Sequence, residues 1–293
     1  MSGVTSYRRI GIIGSGRVAS ALGLALGGLS VEPLALWSRD PARCSGAAAL
    51  IGRAVAAQRM AHIAKTCDLI ILAVSDDALE QSIFDLAAVG GTAAPFVFHV
   101  SGRTGTAILS PLAARGWLTA AIHPAMTFTG DPQSEVRQMI GARFAVTGST
   151  DEANAAAHAI VAHLGGVPVD VADEHRPLYH AALCHGANHL VTLIVGSCEA
   201  LAAAGVHDPA ALLAPLARAA LDNSVGKGMA GLSGPLLRGD RETIAGHIFA
   251  LDKDCPALLP SYRAMGLATL DALQRLNGRE EPSPCRPMLE MGR

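Results

Sequence analysis

The chain has 293 residues, 50% hydrophobic and 16% charged, with 23 Lys and Arg against 25 Asp and Glu for a net charge of −2. That length reads as two domains at roughly 150 residues each. The composition excludes a disordered chain and, with no basic block, leaves no expectation of a nucleic-acid partner.

Arg8-Arg9 before an apolar stretch imitates a secretory or twin-arginine signal, but Arg17 interrupts it. A strand, a glycine turn and a helix explain the same residues better. The strand is Arg9 to Ile13, the turn carries Gly14-Ser15-Gly16-Arg17-Val18-Ala19, and the helix runs from Ala19 to Leu29. This is G-x-G-x-x-A. Gly14 permits the tight turn, Gly16 lets backbone approach a pyrophosphate, and Ala19 lets helix and strand pack closely. Free N–H groups and the positive dipole end of the helix then face the phosphates. Gly14, Ser15, Gly16, Arg17 and Val18 are the expected phosphate-turn contacts.

A second strand, Pro33 to Trp37, ends in Ser38-Arg39-Asp40. An acidic residue near this point holds the ribose 2′-OH of NAD, whereas a 2′-phosphate calls for a guanidinium and hydroxyls. Ser38 and Arg39 supply these, so NADP(H) is the expected cofactor. Asp40 reads as a cap for the helix after Pro41.

The pattern repeats. Asp68 to Val74 is a continuous apolar run, as expected for a strand buried on both faces of a parallel sheet. Ser75-Asp76-Asp77 reads as the cap of a helix through Leu86. Phe96 to Val100 ends at Ser101-Gly102, and Leu118 to Ile122 ends at His123-Pro124. The fold class is therefore α/β, a doubly wound, mostly parallel Rossmann sheet, followed by an all-α domain. Ligands bind at the carboxyl ends of such strands. Val74, Ser75, Asp76 and Ser101 are expected at the cofactor, with Ser101 and His123 also at the substrate. Each has an alternative reading as a loop cap.

Arg143 to Thr147, a helix through His163, and Val167 to Val171 extend the sheet. Strand-like runs then vanish. The expected domains are 1–172 for the nucleotide and 173–277 for a helical substrate and dimerisation domain, with 278–293 a flexible tail. Apolar runs are broken within about 18 residues, so no membrane span is expected. Six cysteines, Cys44, Cys67, Cys184, Cys198, Cys255 and Cys285, form no C-x-x-C pair, which reads as reduced thiols in the cytoplasm.

The helix expected from Glu174 to Ala204 sets His180, Cys184 and Asn188 at i, i+4, i+8 on one face. His180 and Asn188 can supply a proton and bind a carbonyl oxygen; hydrogen bonding between helices is the other reading. His185 and His189 form a second i, i+4 pair, but the H-E-x-x-H pattern is missing and no metal is expected. In Leu232 to Thr243, Asp240 reads as a helix cap, Arg238 as the holder of a substrate carboxylate, and Asp240 and Thr243 as further substrate contacts. A plain helix–helix loop is equally open. The Ala/Leu-rich helix Ala200 to Leu221 carries surplus apolar surface, so a homodimer through the helical domain is expected.

Six segments carry a family likeness: GIIGSGRVA (Gly11 to Ala19), LAVSDDAL (Leu72 to Leu79), HVSG (His99 to Gly102), HPAMTF (His123 to Phe128), YHAALCHGANHLVTL (Tyr179 to Leu193) and LSGPLLRGDRETI (Leu232 to Ile244). On these the chain resembles Rossmann-like proteins with a DUF2520 carboxyl-terminal domain. Its layout is similar to ketopantoate reductase, pyrroline-5-carboxylate reductase and the 6-phosphogluconate dehydrogenase group. The resemblance implies NADPH-dependent reduction. Because some DUF2520 proteins act as an alternative ketopantoate reductase, it also implies 2-dehydropantoate (ketopantoate) and pantothenate biosynthesis. Ordinary ketopantoate reductases carry a Lys, an Asn four residues on and another Asn eight on. By that likeness His180 replaces the Lys as proton donor, Asn188 matches the second Asn, and Cys184 departs from the first. Ser233 and Gly239 to Thr243 loosely echo a later loop. HPAMTF is similar to the H-P-M turn of prephenate dehydrogenases, whose helical half fits less well. The expected function is thus an NADPH-dependent reductase of a small 2-oxo acid. An imine reductase and a non-catalytic NADP-binding sensor are the alternatives.

Overall fold

A computed structural model describes residues 6–89, 94–277 and 283–290. Its first 184 residues form one compact unit and His185–Arg293 another.

In the first unit, β1 (Ile10–Ile13), α1 (Arg17–Leu26), β2 (Leu34–Trp37), α2 (Pro41–Ile51), β3 (Ala54–Ala56), α3 (Met60–Thr66), β4 (Leu69–Leu72), α4 (Asp76–Ala88), β5 (Phe96–His99), α5 (Ser110–Ala113) and β6 (Leu118–Pro124) alternate strand and helix. Then come α6 (Pro132–Met139), β7 (Arg143–Gly148), α7 (Asp151–His163), β8 (Val167–Asp170) and α8 (Arg176–Leu183). The sheet order is β3-β2-β1-β4-β5-β6-β7-β8. The strands through β6 are parallel; β7 pairs antiparallel with β6 and parallel with β8. The order reverses between β1 and β4, which opens a crevice at their carboxyl ends.

Alternation along each strand divides the core. Ile10, Ile12, Leu69, Ile71, Phe96 and Phe98 face α1, α2, α6 and α7. Ile13, Ile70, Leu72 and Val97 face α3, α4 and α5. Both faces being covered, the strands read as unbroken apolar runs. Each fully buried Ile or Leu contributes roughly 1.5–3 kcal/mol.

Asp40 caps α2 as expected, accepting from the amides of Ala42 and Arg43. Ser75 takes the N-cap position of α4, but its hydroxyl makes no capping bond; Asp76 and Asp77 in the first turn answer the helix dipole instead. The unit ends later than position 172 because α8 is tied down at its start. The Asp173 carboxylate accepts from Thr106 N, Thr106 Oγ1 and Ala107 N, and Arg176 is fully buried.

The second unit holds α9 (His189–Ala203), α10 (Pro209–Lys227), α11 (Pro235–Arg238), α12 (Arg241–Asp254), α13 (Leu259–Asn277) and α14 (Arg286–Glu290). Ile244, Leu267, Leu270, Cys285 and Leu289 form its small core. The flexible-tail expectation therefore fails for 283–290, where Cys285 and Leu289 are buried. Residues 278–282 and 291–293 lie outside the described residues. No residue of α9 or α10 is buried. The helical run Asp173–Ala203 is long and apolar enough to cross a membrane by length and composition, contrary to the expectation, and none of its most apolar stretch is buried.

Candidate functional site

The glycine turn sits where β1 meets α1. Gly14 has φ +123°, and a Cβ there would lie 2.0 Å from the Ala73 carbonyl oxygen, so only glycine fits the β1–β4 contact. Gly16 is the N-cap of α1, and a Cβ there meets nothing within 4 Å. That open space, with no side-chain cap and no acid in the first turn of α1, suits a pyrophosphate on the helix amides. Ser15 and Val18 are half-buried and Ala19 is fully buried. Arg17 turns to the next loop, where its Nη1 donates to the Phe128 carbonyl at 3.1 Å.

Beyond β2, Ser38 Oγ donates to the Asp40 carbonyl at 2.9 Å, and Arg39 is exposed. A hydroxyl and an exposed guanidinium fit a 2′-phosphate, while the Asp40 carboxylate is engaged in capping. The donor set thus fits NADP(H).

A second cluster lies at the ends of β4, β5 and β6. Val74 is half-buried and Ser75 exposed. Asp76 receives the Arg103 Nε at 2.8 Å. Burial works to raise the Asp76 pKa, but hydrogen bonds from Ser101 and Arg103 outweigh it and hold the carboxyl below its usual range. Ser101 is buried, and its Oγ accepts from Thr104 N at 3.2 Å.

His99 is fully buried. Its Nε2 lies 2.9 Å from the Gly105 carbonyl, which can only accept, and its Nδ1 lies 3.2 Å from the Ser101 amide, which can only donate. These partners fix a neutral Nε2–H tautomer. Burial pushes its pKa down to about 4. His99 is therefore structural.

His123 projects from the end of β6, with Nδ1 2.9 Å from the Tyr179 hydroxyl. Its ring meets those of Tyr179 and His180 edge to face, each at a centroid distance of 5.7 Å. Burial, then the charges of His180 and Arg176, push His123 down to about 4. Burial raises Tyr179, which keeps its proton. Gly102 lies against both imidazoles: a Cβ there would be 2.4 Å from His180 Cδ2 and 2.9 Å from His123 Nε2. His180 Nε2 also lies 3.8 Å from Cys184 Sγ.

The structure thus brings together Ser101, Asp76, His123 and His180 from the expected residues, and adds Gly102, Tyr179 and Arg176. Tyr179 adjoins His180 in a segment the family likeness had marked, which was the available signal.

The other expected residues belong to the second unit. Asn188 is exposed and closes a π-helical turn, Cys184–Asn188. His180 and Cys184 keep their i, i+4 contact, and the wider turn interrupts the regular register that would carry on to Asn188. Arg238 pairs with Asp240 at 3.1 Å, and Thr243 is exposed. Asp240 holds the N-cap position of α12 without a capping bond, because its carboxylate engages Arg238. His185 and His189 are exposed with their Nδ1 atoms 3.1 Å apart. Among the described residues no group of three or more His, Cys, Asp or Glu is placed to hold a metal.

The strand order and glycine turn define a Rossmann-type nucleotide-binding protein. Residues 2–124 match the "Rossmann-like domain" model, and residues 142–269 match "Domain of unknown function (DUF2520)". The chain belongs to this family of Rossmann-like proteins with a DUF2520 domain. No curated protein matches the chain. Among solved structures it is similar to a candidate NADP oxidoreductase, BF3122 from Bacteroides fragilis, with 21% identity, 91% of this chain and 99% of that one covered, and a TM-score of 0.75. An imine reductase from Myxococcus stipitatus in complex with NADP+ shares 14% identity over 96% of this chain and 99% of that one, with a TM-score of 0.66. A 1-pyrroline-5-carboxylate reductase from Streptococcus pyogenes shares 18% over 76% and 80%, with a TM-score of 0.58. At these identities the likeness is one of fold.

Proposed function

We propose that the chain is an NADP(H)-dependent reductase of a small carboxylate-bearing substrate, with a 2-oxo acid such as ketopantoate as the leading choice. The observation that carries the reading is the convergence of His123, Tyr179 and His180 on the same sheet edge as the glycine turn. The ends of β1 and β6 lie three strand spacings apart, about 14 Å, and the nicotinamide half of a dinucleotide extends across that edge. Gly14, Ser15, Gly16 and Val18 hold the pyrophosphate, Ser38 and Arg39 the 2′-phosphate, and Val74, Ser75 and Ser101 flank the remainder.

A bound nicotinamide supplies the hydride. His180 gives the oxygen of the reduced carbonyl its proton, an imidazole N–H being a suitable general acid. Tyr179, its hydroxyl on His123, orients that oxygen by a hydrogen bond. Ser101 and Asp76 fix the loop over which the substrate lies. Asn188, Arg238, Asp240 and Thr243 have no part in this proposal. The neutral state of His123 favours a second reading, reduction of a cyclic imine such as pyrroline-5-carboxylate, which arrives already protonated. NADPH oxidation with each substrate tests both readings, and tight binding with no oxidation across oxo acids and imines supports the sensor alternative.

We also propose that a second copy of the chain covers α9 and α10. Val191, Val195, Leu212, Leu216 and Val225 are exposed there. A bilayer is a poor cover, because His185, Asn188 and His189 lie in the same helical run and are costly in hydrocarbon. A homodimer by light scattering at micromolar concentration is expected; a monomer would contradict it. Free cysteines fit a reducing, cytoplasmic setting.

A further inference from the structure

Arg176 is buried to 0% exposure at the first position of α8. Its Nε donates to Thr147 Oγ1 at 2.7 Å and its Nη1 to the Ser101 carbonyl at 3.0 Å. Its Nη2 donates to the carbonyls of Ala121 at 2.9 Å and Ala145 at 3.1 Å. One side chain therefore joins the loop after β5 to β6 and β7. All four acceptors are neutral, and among the described residues no carboxylate oxygen lies within 4 Å of the guanidinium. The Asp173 carboxylate is nearby; it accepts from Thr106 and Ala107, keeps its charge, and attracts the guanidinium from a distance.

We propose that Arg176 is the positioning residue of this site: it sets Ser101, His123 and Tyr179 in register and gives the edge a standing positive potential that selects anionic substrates. The substrate half of this claim rests on the reductase reading; the electrostatic half does not. A structural tie alone needs no charge, and neutral donors would serve. The Asp173 carboxylate answers this buried cation only from beyond contact distance, so part of its field remains at the strand ends. The groups sharing that field are His99, Asp76 and Arg103 beside the β5 loop, His123 on β6, and Asp173, Tyr179 and His180 around α8. Burial is the main reason that His123 and His99 stay unprotonated; the Arg176 charge acts in the same direction on both, after His180 at His123, and works against the burial that raises Tyr179. It also draws the carboxylate of an oxo or imino acid, a role Arg238 is poorly placed to fill while paired with Asp240.

The test uses the full chain, Arg176→Gln and Arg176→Lys. Gln removes the charge and keeps a donor; Lys keeps the charge and loses the planar fork. His123 is followed by NMR titration, which needs no turnover, and substrate preference by kcat/KM for an oxo or imino acid against its methyl ester. The expected wild-type result is a His123 that stays neutral to pH 5 and an acid preferred over its ester by about tenfold or more. Arg176→Gln moves the His123 midpoint upward and erases the preference, while Arg176→Lys retains both. A wild-type His123 with an ordinary midpoint overturns the proposal even if neither variant folds. So does Arg176→Gln with an unchanged midpoint. Failure of every substrate, with the His123 result as expected, removes the reductase reading and leaves the electrostatic assignment standing.

Discussion

Gly102→Ala lowers kcat by about 100-fold or more and leaves dinucleotide affinity within about threefold. A Cβ at Gly102 would lie 2.4 Å from His180 Cδ2, 2.9 Å from His123 Nε2 and 3.1 Å from His123 Cδ2. Contacts this short force a ring to move. His123 is held by the Tyr179 hydroxyl at 2.9 Å, so the displacement spreads through the cluster. A misplacement of about 1 Å costs roughly 100-fold in rate when reacting groups must align. The backbone itself accepts alanine, because Gly102 is not among the positive-φ glycines. The glycine turn after β1 is two strand spacings from the β5 loop that carries Gly102, so NADPH titration serves as the control. Wild-type kcat in this variant would remove the imidazole pair from the reaction.

The second large effect is on stability. His99 and His123 each have a folded-state pKa lowered from 6.5 to about 4. Between those values the unfolded chain binds protons that the folded chain refuses, so stability falls as pH drops. The contribution is complete above pH 6.5 and is lost progressively toward pH 4. At pH 5 each histidine gives up about 2 kcal/mol, and the pair about 4 kcal/mol, since one pKa unit is roughly 1.4 kcal/mol. That is a large part of the roughly 5–15 kcal/mol that holds a domain folded. Urea denaturation at pH 7 and pH 5 reads it directly: the midpoint should fall clearly at pH 5. An unchanged midpoint would show that these imidazoles are hydrated or protonated in the fold.

How far the sequence reaches differs by element. The β1 turn and the β4 and β5 runs are legible because strands covered on both faces leave continuous apolar stretches. β3 is not: Ala54–Ala56 is short, and Val55 and Ala56 are exposed, so it makes no hydrophobic signal. Ser101 and His123 follow from the rule that ligands gather at strand ends. Arg176 does not follow, because an arginine opening a helix ordinarily reads as solvated. Only the assembled sheet shows that carbonyls of the loop after β5, of β6 and of β7 converge on it. Tyr179 is hidden for a related reason: its partner is His123, far off in sequence and brought near by α8. The π turn at Cys184–Asn188 leaves no trace in a 3.6-residue pattern, which is why Asn188 was read onto the face of His180. Arg238 closes α11 and Asp240 precedes α12, and their spacing of two lets them pair with each other.

The central claim is that the glycine turn and the His123–Tyr179–His180 cluster form one reductase. Its most direct measurement is oxidation of NADPH at roughly 340 nm, the nicotinamide band, with ketopantoate and with pyrroline-5-carboxylate, run beside NADH and with His180→Ala as the control. The account predicts turnover of at least one substrate, faster with NADPH than with NADH, and a much lower kcat for ketopantoate in His180→Ala with NADPH binding intact. Full turnover in His180→Ala, or no NADPH binding by the wild-type chain, would contradict it.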